Sequence, residues 1–377
     1  MKKSFHILLW CLAVLISSNP LFSQTTTSGQ DSLPILQAPR PRADSMISVG
    51  YGQFRKNEVT SATTSIFAEN FNMGLIADPA LLIQGKVPGT QIYNRGGDPN
   101  NSSLIRIRGL SGYSNRAPLI VIDGLPGASL QNLDPNDIAS MTVLKDGSAQ
   151  AIYGIRASNG VLLIETKDGR NAEKPLTISY NGQAALSSAY PQIPVLSAAE
   201  FRAAGGTDFG ASTNWLEEIQ RDGFSNMHSL ALSGSSGTSS YRISGNYRNT
   251  EGVLRKSGFE QLNVRAHLNS RFFNDKLALQ LSASYTDRSS QLGFQQAFRY
   301  AVSANPTAPV YAEDAPFAYN GEEFGGFFEL EGLFDHFNPR ALVDLNERDG
   351  LLQELTTSAL LKYDIRSDLS VNFRYAY

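Results

Sequence analysis

PLIVIDGLPGASLQNLDPNDIASMTVLKDGSAQAIYGIRASNGVLLIETKDGR, residues 118–170, is the stretch whose reading decides the fold. It contains three short apolar runs, Leu119 to Ile122, Met141 to Leu144 and Val161 to Ile164, each closed by an acidic residue with Gly or by a polar turn, as β-strands are. Between the last two, Ser148 to Tyr153 offers Ala149, Ala151 and Ile152 as helix formers, with Ser148 as cap and Gly154 as stop. The stretch predicts a small α/β unit.

Upstream, Asp78-Pro79 reads as an N-cap followed by Pro at the first helical position. It opens a helix through Leu81, Leu82 and Ile83 that stops near Gly85. Leu104 to Arg108 alternates, with Ile105 and Ile107 on one side and Arg106 and Arg108 on the other. Asp98, Asn100 and Asn101 in GGDPNNSS (96–103) faintly suggest a calcium loop. No bidentate carboxylate follows at a suitable spacing, so a plain turn is the reading.

Downstream of Arg170 the rhythm changes to dyads. Leu176, Ile178 and Tyr180 oppose Thr177, Ser179 and Asn181; Tyr241, Ile243 and Tyr247 oppose Arg242, Ser244, Asn246 and Arg248. The same alternation runs through Leu262 to Asn269, Leu277 to Thr286 and Leu369 to Tyr377. These are strands with one apolar and one polar face. Alternation alone does not separate a transmembrane barrel from a soluble sandwich. The apolar faces of these runs carry no charge, as lipid contact requires, and tyrosines gather toward strand ends, as at a membrane interface. On the opposite, polar face, Arg242→Leu is expected to be tolerated for insertion if that face lines the lumen. About seven strand-like runs follow Lys174, separated by long loops at 187–224 and 288–351. Leu196 to Ala204 and Asn214 to Gln220 read as short helices in the first loop. The second carries aromatic and acidic residues from Tyr311 to Phe337, suited to stacking on sugar rings or equally to packing on themselves.

The chain has 377 residues, 41% of them hydrophobic, and a formal net charge of −3, which argues against an electrostatic nucleic-acid binder. Lys2 and Lys3, an apolar run from Ile7 to Ile16 and the small Ser23 form a secretory signal, too short for a transmembrane helix. Cys11, the only cysteine, lies in that run, so the exported chain is expected to have neither disulfide nor thiolate metal site. Bulky Trp10 before it argues against lipid attachment. His6, His228, His267 and His336 are scattered without ligand spacing, and there is no G-x-S-x-G elbow or phosphate loop. Adjacent Glu322 and Glu323 do not define a glycosidase pair. No enzyme and no cofactor is expected.

Five separated motifs in one order, VGYG (49–52), LIQGKVPG (82–89), IRIRG (105–109), PLIVIDGLPG (118–127) and LKDGSAQAIYGIRASNGVLLIETKDG (144–169), resemble the plug of SusC/RagA-type TonB-linked outer-membrane receptors. The resemblance implies an α+β plug domain followed by antiparallel transmembrane β-barrel strands, the barrel being incomplete in this chain because such barrels have about 22 strands. The expected organisation is a signal peptide (1–23), a flexible tail (24–43), a TonB-box-like segment (44–60), the plug (61–172) and a partial barrel (173–377). Met46, Ile47, Ser48 and Val49 are the expected TonB contact, by strand addition, with an ordinary linker as the other reading.

Gly85, Arg108, Gly109, Asp123, Gly124, Lys145, Asp146, Tyr153, Gly154, Arg156 and Gly160 match the plug motif. They read as structural, with Gly124 and Gly154 at tight turns and Arg156 as an ion-pair partner inside the plug or with the wall. The implied partners are TonB with its inner-membrane complex, a SusD-type surface lipoprotein, outer-membrane lipid and a nutrient, oligosaccharide or peptide. The rival within transport is a siderophore or cobalamin receptor. The rival of another class is a secreted binding module or adhesin.

Overall fold

The computed structural model describes residues 46–49, 52–55, 62–109, 117–147, 151–170, 172, 174–189, 193–315, 321–329, 337–366 and 369–377, the first two segments as backbone only. The predicted signal and tail lie outside these residues, as do His336 and part of the aromatic and acidic run.

Strand β1 (Met46–Val49) pairs antiparallel with β2 (Gly52–Arg55) in a hairpin. Strand β3 (Thr63–Phe67) follows, then a 3-10 turn over Pro79–Ile83 in which the Asp78 carboxylate accepts from the Ala80 N–H at 2.9 Å. This is the cap expected from Asp78-Pro79, and it buries Leu82 and Ile83. β4 (Thr90–Tyr93) and β5 (Leu104–Ile107) form a second hairpin, with Ile105 and Ile107 turned into the core.

The deciding stretch becomes β6 (Leu119–Ile122), β7 (Leu125–Pro126), β8 (Ile138–Leu144) and β9 (Val161–Thr166). With β3 they make one five-stranded sheet, ordered β3-β8-β9-β6-β7, in which β6 and β9 run parallel and the other pairs antiparallel. Met141, Val143, Leu162 and Ile164 pack on one face with Ile83, Ile105 and Ile107, while Leu144, Val161 and Leu163 pack on the other with Ala157 and Tyr153. Burial on both faces explains why these strands read as continuous apolar runs rather than dyads.

The expected helix differs. A 3-10 segment runs over Ala151–Ala157, broken at Gly154 (φ 66°, ψ −157°), and 148–150 lie outside the described residues. Gly154 therefore interrupts the helical segment rather than ending it, because its left-handed backbone allows a second turn to start beyond it.

The dyads become seven long strands: β10 (Thr177–Ser187), β11 (Gly223–Ser236), β12 (Ser239–Glu251), β13 (Gly258–Phe272), β14 (Leu277–Gln291), β15 (Asp349–Arg366) and β16 (Leu369–Ala376). They pair antiparallel in chain order, and among the described residues the sheet does not close. The register aligns Ile178, Leu232, Ile243, Ala266 and Ala283 in one row. This face is bare: Ile178, Leu230, Ile243, Leu262, Val264 and Phe373 are all exposed. An apolar surface that wide demands a non-aqueous cover. The face is not wholly uncharged, since Glu260 and Asp287 lie on it beyond the apolar rows, at the end that carries the long loops. No described helix is long and apolar enough to cross a membrane, which says nothing of strands.

The strands run further than the sequence reading placed them, so the loops span 188–222 and 292–348. Helices α1 (Ala198–Ala203) and α2 (Trp215–Ile219) occupy the first, and α3 (Ala297–Ser303) and α4 (Pro339–Asp344) the second. A Ser197/Glu200 capping box opens α1. The two loops share one core: Trp215 and Ile219 pack with Leu254, Ala301, Phe328 and Val343. Phe327 stacks on Tyr311 at 5.3 Å, so the described aromatics of this run pack largely on their own loops.

Gly160 sets how closely β5 approaches the sheet. Its φ is +93°, and a Cβ there would stand 2.6 Å from Ile107 Cδ1. Gly160→Ala is expected to cost about 1–3 kcal/mol, read as faster amide exchange across Val161–Thr166.

Candidate functional site

The polar face of the seven-stranded sheet is turned to the α/β unit, and the contact concentrates on one segment, Gln131–Asp137. Asp134 caps the 3-10 turn Pro135–Asp137 by accepting from the Asn136 N–H at 2.8 Å. Its other oxygen accepts from Arg248 Nη2 on β12 at 2.5 Å, and both side chains are buried, with 1% and 3% exposed. Arg248 Nη1 also donates to the Ala77 carbonyl at 2.7 Å. Asp137 pairs with Arg242 Nη2 at 3.2 Å and accepts from Asn246 Nδ2 at 2.7 Å. Beside it, Asn263 Nδ2 and Thr286 Oγ1 donate to the Asn132 carbonyl, and Asn132 Nδ2 donates to Glu354 at 2.6 Å.

Behind this segment Lys167 Nζ donates to the Asn136 carbonyl at 2.8 Å. Burial, together with the nearby Arg242 guanidinium, draws the Lys167 ammonium below its ordinary range against the opposing pull of Asp137 and Asp134. Neither carboxylate was singled out from the sequence. The available signal was Arg242 and Arg248 on one strand face otherwise polar and neutral, since two cations turned inward need acidic partners.

A second node is Asp123, at φ 50° before Gly124 at φ 81°. Its carboxylate accepts from Thr166 N at 2.9 Å and Thr166 Oγ1 at 2.8 Å, and pairs with Arg265 of β13 at 3.3 Å. Thr166 Oγ1 also lies 3.0 Å from His267 Nε2, and Arg374 Nη1 donates to the Asp123 carbonyl at 2.9 Å. Spending its hydroxyl proton on Asp123, Thr166 accepts from an Nε2–H tautomer of His267.

The third node lies where the described chain enters β3. Asp146 accepts from the Ala62 N–H at 2.5 Å and pairs with Arg108 Nη2 at 2.6 Å. Arg108 itself is at φ 57°, its N–H donating to the Gly89 carbonyl, with Gly109 beyond it at φ 86° and Gly85 at φ 77°. Lys145 Nζ donates to Thr64 Oγ1 at 2.8 Å, and burial, then Arg108, lower the Lys145 ammonium against Asp146. Arg156 is exposed, its guanidinium close to Gly127, and it makes no ion pair with a described residue. Met46, Ile47, Ser48 and Val49 lie in the β1–β2 hairpin, with β1 close to β8. No group of described residues is arranged to hold a metal ion.

The Ala62 N–H is the main cause that lowers the Asp146 carboxyl; desolvation opposes it, and Arg108 and Lys145 add to the lowering. A carboxylate depressed on folding supports the contact above its unfolded pKa of about 4 and loses it only as pH falls through the lower folded value. Exchange protection of the Ala62 amide is therefore expected to hold from neutral pH to about 4 and collapse below it, and to be absent at every pH in Asp146→Ala, which keeps no acceptor. Arg248→Met strands a buried carboxylate and is expected to cost about 3–5 kcal/mol, whereas Asp134→Asn with Arg248→Met recovers most of that, read from thermal unfolding in detergent.

The TonB-dependent Receptor Plug Domain family matches residues 55–161. TonB-dependent receptor SusC of Bacteroides thetaiotaomicron is 33% identical over 298 residues, 74% of this chain and 30% of that protein. TonB-dependent receptor P26 of Formosa agariphila is 31% identical over 358 residues, 88% of this chain and 35% of that protein. The chain thus spans about a third of the length of these relatives. Among solved structures, the RagAB peptide importer in its open-open state superposes with a TM-score of 0.68 at 20% identity, over 88% of this chain and 42% of that one, a likeness of fold. A small mixed sheet seated against the polar face of an antiparallel sheet, with the plug family's match lying on that small sheet, leads to one assignment: this chain belongs to the SusC/RagA-type TonB-dependent receptors, as their plug and first wall strands.

Proposed function

We propose that the receptor containing this chain imports a nutrient across the outer membrane, with the plug and amino terminus toward the periplasm and the long loops outside. The observation that carries this reading is the two-faced wall. Its outer rows are bare and apolar, and its inner face holds the plug by hydrogen bonds and ion pairs rather than by an apolar core. A plug seated by polar contacts has a hydrated state to exchange into when it is displaced, which a dry core does not offer.

In this reading TonB adds a strand to the Met46–Val49 segment and pulls, and a SusD-type lipoprotein delivers the cargo from outside. The cargo is an oligosaccharide or a peptide. The kinship with SusC supports the lipoprotein partner, and the likeness to a structure described as a peptide importer is compatible with cargo of that size.

Strand addition uses backbone N–H groups, which Pro lacks. Ile47→Pro is expected to abolish growth on the nutrient whose use depends on the receptor, while receptor abundance and plug protection stay unchanged. Unimpaired growth would remove the TonB-box assignment.

A further inference from the structure

Just beyond β9 the chain crosses the inward face of the wall, and the crossing is pinned. The Lys167 N–H donates to the Asp137 carbonyl at 2.8 Å, and Asn269 Nδ2 of β13 donates to the Asp168 carbonyl at 3.2 Å. Gly169, at φ 81°, lies so close to β12 that a Cβ there would stand 2.2 Å from the Tyr241 carbonyl oxygen. Beside this crossing, at the end of the wall away from the long loops, is an open cavity of about 440 Å³. That volume falls within the range of small-ligand pockets, about 300–1,000 Å³.

The wall lines the cavity with a cross-strand row, Thr177, Ser233 and Arg242, which the register sets side by side on the inward face. Lys167, Asp168 and Lys174 line it from the plug and its exit. The charges do not cancel. Arg242 pairs with Asp137, Asp168 with Arg170 and Asp134 with Arg248. Lys167 Nζ donates to a neutral acceptor, the Asn136 carbonyl, and Lys174 is exposed and makes no ion pair with a described residue. Two ammonium groups thus border one cavity without a carboxylate of their own. Burial and the neighbouring Arg242 already draw the Lys167 ammonium down, a conflict that an anion in the cavity relieves.

We propose that this cavity binds a small phosphate-bearing anion, held by Lys167 and Lys174 on one side and by Arg242, Thr177 and Ser233 on the other, and that the anion ties plug to wall. A phosphate monoester carries about −1.5 to −2 at neutral pH, which answers both ammonium groups, whereas a monocarboxylate answers one. Its three terminal oxygens accept from donors in several directions, as the two lysines and two hydroxyls require. Arg242 gives Nη2 to Asp137 and keeps Nη1 for the anion. The row faces away from the apolar side of the wall, so the occupant is a free anion and not a lipid headgroup. The site rests on these residues and not on the importer reading.

The test titrates the full receptor, in a non-ionic detergent free of phospholipid, with inorganic phosphate. It follows the heat of binding, and the amide exchange of Lys167 against sodium chloride of equal ionic strength, which removes simple screening. One phosphate is expected to bind saturably per receptor and to slow exchange of the Lys167 amide, which chloride leaves unchanged. Lys174→Gln removes an exposed charge and is expected to weaken binding about tenfold without altering thermal unfolding in chloride. Ser233→Asp sets a carboxylate in the cavity and is expected to abolish binding. No heat beyond dilution across the millimolar range overturns the site, and so does equal affinity in Lys174→Gln and the unaltered receptor. Saturable binding that leaves the Lys167 amide unaffected overturns the tie between plug and wall and leaves the site.

Discussion

Two carboxylate–guanidinium pairs, Asp134 with Arg248 and Asp137 with Arg242, set the terms on which plug and wall coexist. Each charge would be costly to bury alone, and each is tolerable only while its partner is in reach. The plug's internal structure serves this pairing. Leu133, fully buried, fixes the segment to the plug core, the Asp134 cap orders the turn, and β8 begins directly after Asp137. Seating is thus decided by a handful of polar contacts of high stringency rather than by the area of an apolar interface.

The arrangement separates two jobs that a single core would merge. The plug keeps its own apolar core on both faces of its sheet, built without residues of the wall. The wall keeps its apolar residues outward, and the space between carries the polar groups of both. Asp123 illustrates the economy of this layer, since its backbone forms the tight turn after β6 while its carboxylate holds Thr166 at the end of β9 and meets Arg265 on β13.

Much of this was legible in the sequence wherever the signal is local. The alternation from Leu262 to Asn269 identifies an amphipathic strand, because side chains repeat every second residue, and Asp78-Pro79 announces a capped turn because both residues act on their immediate neighbours. Of the motif residues, Asp123 and Asp146 hold hydrogen bonds and ion pairs, Gly124 lies at positive φ and Lys145 meets Thr64. What stayed hidden depends on partners remote in the chain. Asp134 and Arg248 are 114 positions apart and Asp137 and Arg242 are 105, and no periodicity reports which carboxylate a strand's arginine will meet. Gly154 misled for a different reason: a glycine that ends one helical turn and a glycine that links two have the same local composition, and only the surrounding packing separates them.

The two long loops fold around Trp215, Leu254, Phe328 and Val343 as one body, with Trp215 Nε1 of the first loop donating to the Asn305 carbonyl of the second at 2.8 Å. Loops that share a core cannot vary independently. A change in one alters the bed on which the other rests, so the two loops are exchangeable between receptors only as a matched set. Grafting either loop alone would transplant half a nucleus and leave its apolar side chains facing water.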